Sequence, residues 1–301
     1  MERVAESVSQ SYARFVEAIA AGNSMQVSLQ FDEAQQQLRL AWDSTYQSVK
    51  DSPQVAADAA RNLIREQPSI TALALAIARC DAADLFPRFR QMLEFITQMT
   101  NATPGYKAVA GVPHVQAGFL YMAASVIALH RESWSLFEKL LTTKFQWYFH
   151  SGRPLFSYGF DHPYFFHSEA MGRNAPTIHD LFRNELGSAE VTEATGLAGN
   201  EAVDAYLQAQ MVMCLKAVQL RQAGEDVRVW PDFGRFYGGR VLPLFDRAYA
   251  DNDFAAGLCK AFAETPKLFF ERLNSRLGFI PAHFWGGAPY SYESITSWEP
   301  R

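Results

Sequence analysis

Apolar residues recur at helical spacing along most of this chain, and this periodicity constrains its fold more than any other feature. In the first segment one apolar stripe recurs at steps of four, four, three and four residues: Val4, Val8, Tyr12, Phe15 and Ile19. Such spacing places the side chains on one face of an amphipathic helix. The Gly22-Asn23 pair that follows is a helix stop signal. The chain therefore predicts a helix at its start.

Helix start signals appear at further places along the chain. A proline that opens a helical pattern, usually after a capping hydroxyl, occurs at Ser52-Pro53, Pro68-Ser69 and Thr265-Pro266. Proline suits the first helical turn because its missing N–H would have no partner there. Each of these places therefore predicts the start of a helix.

One stretch favours a different structure. Met25, Val27, Leu29 and Phe31 alternate strictly with polar residues, a pattern typical of a β-strand. The residues after it return to helical spacing, with Leu38, Trp42 and Val49 on one stripe. A strand over 25–31 is kept as an alternative to a helix through the whole segment.

Three places share the pattern of a helix end, a short polar turn with an acidic residue, and a new helix that opens on apolar residues. They are "IARCDAADLFPRFRQML", "ALHRESWSLFEKLLTTK" and "AYADNDFAAGLCKAFAE". Each predicts an antiparallel helical hairpin, and Ser135 with Glu138 fits a capping box in the second. We expect an all-α fold, an irregular and repeat-like stack of antiparallel helical hairpins. Residues 1–301 are expected to form a single domain, with a possible sub-boundary near 150–176.

Charge and cysteine usage narrow the class of protein. The chain holds 27 Lys and Arg against 32 Asp and Glu, for a net charge of −5, and no basic run. Nucleic-acid binding is therefore not expected. The three cysteines Cys80, Cys214 and Cys259 are far apart in apolar helical contexts. That pattern is typical of reduced, buried thiols in a cytoplasmic protein.

The most apolar run, Val115 to Leu129, has 15 residues, which is shorter than a membrane span requires. It predicts a buried core helix, and no membrane association is expected. No h-region of a signal peptide is visible in "MERVAESVSQ".

The stretch "WYFHSGRPLFSYGFDHPYFFHSEAMGR", from Trp147 to Arg173, interrupts the helical pattern with nine aromatic rings. We expect a long aromatic-rich loop insert around 148–176. Loops of this length between helices are often functional, and Tyr, Phe, Arg and His carry much of the binding energy at interfaces. The residues predicted to contact a partner are Arg153, Phe156, Tyr158, Phe160, Asp161 and His162. The alternative is a structural plug whose rings fill a gap between helical layers.

The same stretch raises the hypothesis of a metal centre. Its candidate ligands are His162, His167, Glu169 and His179. Metal sites on a helix need ligands three or four residues apart, whereas His162 and His167 are five apart, roughly 140° around an ideal helix. Because this spacing does not fit ligands on one helix, a metal-dependent hydrolase is kept only as the alternative function. A small-molecule pocket among the aromatic rings is a third possibility.

No complete catalytic motif is found along the chain. The Walker pattern, the Gly-x-Ser-x-Gly elbow and a strand followed by Gly-x-Gly-x-x-Gly are all absent. We therefore predict a non-enzymatic helical module that binds a protein partner, as a scaffold, sensor or inhibitor, without a cofactor.

Overall fold

The computed structural model describes residues 7–52, 55–102, 107–146, 152–158, 178–227 and 238–280. Within these ranges the chain is mostly helical, which confirms the predicted all-α class. The helices before the aromatic stretch are α1 (Val8–Ala20), α2 (Ser24–Val49), α3 (Ala56–Arg65), α4 (Pro68–Arg79), α5 (Phe86–Ala102), α6 (Lys107–Ala110), α7 (Val112–His130) and α8 (Trp134–Thr142).

A short antiparallel pair, β1 (Lys144–Phe145) and β2 (Arg153–Pro154), lies at the start of the aromatic stretch. A 3-10 helix, Leu155–Tyr158, follows it. The helices after this stretch are α9 (Ile178–Leu186), α10 (Ala189–Thr195), α11 (Asn200–Gln222), α12 (Gly238–Ala250), α13 (Asn252–Lys260) and α14 (Pro266–Gly278).

The start signals act locally, and two of the three are confirmed. Helix α4 begins at Pro68 and helix α14 at Pro266, where the Thr265 hydroxyl accepts the Leu268 N–H at 3.4 Å. The start predicted at Ser52-Pro53 falls on residues 53–54, which lie outside the described residues, and α3 is described from Ala56.

Helix α7 forms the centre of the fold. Every residue from Val112 to Leu129 is buried, and α3, α4, α5, α8 and α11 all pack against it. Its length and mean hydropathy of 1.4 would suit a membrane span, but that whole segment is buried by its own neighbours. The prediction of a buried core helix is confirmed. The Tyr121 hydroxyl is satisfied there by donating to the Leu140 carbonyl at 2.9 Å.

The helices pack in the order in which they occur along the chain. Helix α1 packs on α4, α4 on α7, and α7 on α11. We refer to these four helices as the first row. Helix α2 packs on both α1 and α5, and α8 packs on α7 and contacts α13. Helices α9 and α10 cover the first row, with α9 against α7 and α11 and α10 against α1.

Within the described part of the chain, five helices end in the same turn. In each, one residue has positive φ, and the next residue donates its N–H to the carbonyl five positions back. This is the Schellman arrangement, which satisfies carbonyls at a helix end. The positive-φ residues are Gly22, Asp81, Glu132, Gly224 and Ala263. Only two of these are glycine, so the other three hold a left-handed conformation that L-residues adopt at some energetic cost.

A residue in the turn between α4 and α5 caps the start of α8. The Asp81 carboxylate accepts the N–H groups of Ser135 at 3.3 Å and Leu136 at 2.7 Å, at the start of α8. The N-cap residue Ser133 makes no such side-chain bond. The predicted capping box of Ser135 and Glu138 is therefore wrong, because a carboxylate distant in sequence already binds these donors.

The second hairpin is joined to the third in a similar place. Glu132 forms an ion pair with Arg247 of α12. The Trp134 ring meets the Phe254 ring edge-on at 5.0 Å between centroids. Gly257 gives this indole room, because a Cβ there would overlap the Trp134 ring. Helices α7 and α8 pack on each other, as do α12 and α13, so two of the three predicted hairpins form. Helices α4 and α5 both pack on α7 rather than mainly on each other, so the first predicted hairpin is wrong as a packed pair.

Candidate functional site

Helix α2 has two apolar faces, of which only one is buried. Val27, Phe31, Leu38 and Trp42 are buried and fix the helix to the rest of the protein. The segment 25–31 lies within the single helix Ser24–Val49, so the strand alternative is wrong.

The other face exposes three large apolar side chains. Met25 is 76% exposed, Leu29 is 52% exposed and Leu40 is 64% exposed. At 100° per residue they fall within an arc of about 60°, over a length of about 22 Å. We call these three residues the outer stripe. Single exposed apolar residues are ordinary, whereas several aligned on one face are typical of a binding surface.

Acidic residues flank the outer stripe. Helix α2 carries Asp32, Glu33 and Asp43 against the single base Arg39, so its formal charge is 1 − 3 = −2. Asp32 lies 3.6 Å from the guanidinium of Arg88 on α5, between the carboxylate Oδ1 and the Nη1 atom. All four charged residues of α2 are exposed. The surface therefore combines an apolar centre with a negatively charged border.

Two of the predicted partner-binding residues lie within the described part of the chain with their side chains. Arg153 is half-buried and forms an ion pair with Asp226. Phe156 is buried in the main core, close to α8. These contacts attach the start of the aromatic stretch to the helices, and a contact of either residue with a partner stays a prediction.

The other predicted partner-binding residues cannot be placed in the same way. Tyr158 ends the 3-10 helix, but its side chain lies outside what the structure describes. Phe160, Asp161 and His162 lie outside the described residues, as does most of the loop predicted around 148–176.

The hypothetical metal ligands fall largely in the same gap. His162, His167 and Glu169 lie outside the described residues, and of His179 only the position in α9 is described. Among the described residues, no group of three or more His, Cys, Asp or Glu side chains could hold a metal ion. The metal-dependent hydrolase stays a prediction.

A second surface feature is an open groove of about 440 Å³ between α5 and α8. Its charged side chains are engaged with the protein itself. The Arg90 Nε atom donates to Glu94 at 2.9 Å, and Lys139 donates to the Ala83 carbonyl at 2.7 Å. Glu94 also accepts the Gln146 N–H at 2.9 Å. The charged side chains of the groove are therefore bonded within the protein, whereas the outer stripe exposes apolar side chains that a partner could cover.

The outer stripe was missed by the sequence interpretation, although a signal for it exists. Once Val27, Phe31, Leu38 and Trp42 are assigned to the buried face, Met25, Leu29 and Leu40 remain on the opposite face at spacings of four and eleven. Two apolar stripes on one helix predict two packing partners.

Comparison with protein-family models, with curated proteins and with solved structures gave no match to this chain.

Proposed function

We propose that this chain is a non-enzymatic protein-interaction module that binds an amphipathic helix of its partner along the outer stripe of α2. The exposure of Met25, Leu29 and Leu40 on one face carries the proposal. A helix laid along α2 would cover these side chains, as in the helix-in-groove mode of recognition. Burial of apolar area supplies the attraction.

The acidic border favours a partner of stated charge. Glu33 and Asp43 are exposed beside the stripe, and the formal charge of α2 is −2. Rim charges contribute mainly to the association rate and to the choice of partner. The partner helix should therefore carry Lys or Arg at the edges of its apolar face.

The scaffold of the module is proposed to be repeat-like. Support comes from helices α1, α4, α7 and α11, which pack in chain order, and from the Schellman turns that recur at their ends. Stacked hairpins give long helices a rigid backing, as α2 has through Phe31 and Trp42. A cytoplasmic location is also proposed, and the unpaired thiols of Cys80, Cys214 and Cys259 support it.

The test compares capture of partners from native extract by variants with a matched surface change. Leu29→Glu with Leu40→Glu places charge in the outer stripe and should abolish capture of the partner. Gln47→Glu, at an exposed position near the end of the same helix, adds charge beyond the stripe and should preserve capture. Helicity and melting should stay near wild type in both variants, because the replaced side chains are exposed. Equal capture by all three proteins, measured by quantitative mass spectrometry, would refute the outer stripe as the binding surface.

The same assay tests the aromatic stretch. If it adds to the partner surface, Tyr158→Ala with Phe160→Ala lowers capture while melting stays near wild type. A large fall in the melting temperature would instead assign these rings to the core.

A further inference from the structure

A cleft of about 210 Å³ lies where α7, α11, α12 and α13 meet. Its apolar wall is formed by Leu129, Leu244 and Phe254, and its polar groups are His130, Gln208 and Arg247. A cavity of about 150 Å³ lined by apolar side chains accepts one benzene molecule. The cleft therefore has room for a single ring, or an alkyl chain of similar size, together with a polar substituent.

Arg247 is held in a fixed position in this cleft. Its guanidinium carbon lies 4.1 Å from the centroid of the Phe254 ring, and Glu132 pairs with one of its nitrogens. A guanidinium carries five N–H donors, so the pair with Glu132 leaves donors for a ligand. A planar guanidinium whose orientation is fixed by stacking suits a carboxylate, which can accept two parallel hydrogen bonds.

His130 stands beside Arg247 in a region where cations prevail. Burial lowers the pKa of His130. The charges of Arg131 and Arg247 lower this pKa further, and the charge of Glu201 opposes them. The imidazole is therefore neutral at neutral pH and can donate one hydrogen bond to an anion. An anion in the cleft would offset the two guanidinium charges that act on this ring.

We propose that this cleft binds a small organic carboxylate with an apolar body of about one ring in size. The carboxylate contacts Arg247 and His130, and the apolar body lies against Leu129, Leu244 and Phe254. This site is separate from the outer stripe of α2 and does not depend on the proposed partner.

The proposal has a consequence for pH. The charged groups that act on His130 are Arg131, Glu201 and Arg247, and Glu132 neutralises part of the last. A bound carboxylate adds a negative charge beside the imidazole and raises its pKa. By linkage, the carboxylate binds more tightly as the pH falls through the range in which His130 gains its proton.

The test uses benzoate as the probe and benzamide, its neutral isostere, as the control. Binding is followed by calorimetry and by the ring resonances of His130 in nuclear magnetic resonance spectra. Benzoate should bind saturably, at least about tenfold more tightly than benzamide, and should raise the pKa of His130. Absence of saturable binding, or equal affinity for the two probes, overturns the proposal.

Two variants separate the role of Arg247 in the site from its role in the ion pair. Arg247→Gln removes both the ion pair and the charged guanidinium that contacts the ligand, and it should weaken benzoate binding about tenfold. Glu132→Gln removes only the ion pair, so benzoate should bind as tightly as to wild type or more tightly. Equal weakening in the two variants would show that the ion pair, rather than a ligand contact, is what matters, and it would refute the assignment.

Discussion

Replacing the buried carboxylate of Glu264 tests the energetics of this fold most directly. The Arg276 Nη1 and Nη2 atoms donate to its two oxygens at 2.8 and 2.6 Å, and Arg272 donates at 2.7 Å. Gln219 also donates to it at 3.4 Å. The side chains of Glu264 and Arg276 are only 3% and 1% exposed. The Glu264→Gln variant would leave the Arg276 guanidinium buried without its counter-charge.

The expected loss follows from that burial. Removing one partner of a buried ion pair costs about 3–5 kcal/mol, because the remaining charge stays desolvated. Lys216 adds to the imbalance. Burial and then Arg276 lower the pKa of this amine, while Glu264 opposes them. We therefore expect the free energy of unfolding at neutral pH to fall by about 3–5 kcal/mol.

The effect should depend on pH with a definite sign. Burial alone would raise the pKa of Glu264, but the hydrogen bonds and charges of Arg276 and Arg272 outweigh it and hold that pKa below its ordinary value. A carboxylate whose pKa is lower in the folded state stabilises the fold above its unfolded pKa and loses that contribution as pH falls through the folded value. The difference between wild type and Glu264→Gln should therefore shrink in acid.

The assay is urea denaturation followed by far-ultraviolet circular dichroism at several pH values. The midpoint should fall with an unchanged m-value, which marks a change in stability alone. Arg272→Gln is the matched control, because the Arg272 side chain is 54% exposed and its loss should cost less than about 1 kcal/mol. The reasoning fails if Glu264→Gln stays within about 1 kcal/mol of wild type at neutral pH, or if its deficit is constant across the pH series.

Two other substitutions test the contacts between hairpins. Gly257→Ala should destabilise the protein by about 1–3 kcal/mol or more, because the added Cβ meets the Trp134 indole. Gly278→Ala places its Cβ in open space and should be near neutral. Similar thermal midpoints for these two variants would contradict this packing. Asp81→Ala should be less stable than Asp81→Gly by about 1 kcal/mol in denaturation, since both lose the cap on α8 but only glycine relieves the positive φ of 47°; equal stabilities would show that this turn is not strained.

The sequence predicts the class of the fold and many of its helix ends, because these depend on local chemistry. The stripe that contains Tyr12 and Phe15 and the stop at Gly22 correspond to α1. The proline starts at Pro68 and Pro266 are correct for the same reason. A local pattern also misleads in α2. Its outer stripe and its buried stripe together imitate the alternation of a strand.

Contacts between distant segments are what the sequence does not predict. The capping of α8 by Asp81 joins residues 55 positions apart at the Leu136 N–H, and no local pattern encodes it. The pair of Arg247 with Glu132 spans 115 positions. The cleft at His130 escaped prediction for this reason, because its walls come from four helices that only the fold brings together.

The predicted partner-binding residues and the outer stripe lie in different parts of the chain. Aromatic and charged residues drew attention to Arg153 and Phe156, which the structure places against Asp226 and in the core. Met25, Leu29 and Leu40 resemble ordinary core residues in the sequence, and the structure shows that their side chains are exposed.

The contacts of Asp81, Glu132 and Trp134 hold two turns, those after α4 and α7, against helices that are distant in sequence. A turn that is held by another segment opens less readily than one that is held by its own helix alone. Local opening of the native protein should therefore be rarer at these turns than at the opposite ends of the same helices. Amide hydrogens beside Asp81 and Glu132 should accordingly exchange with solvent later than those at the opposite ends of the same helices.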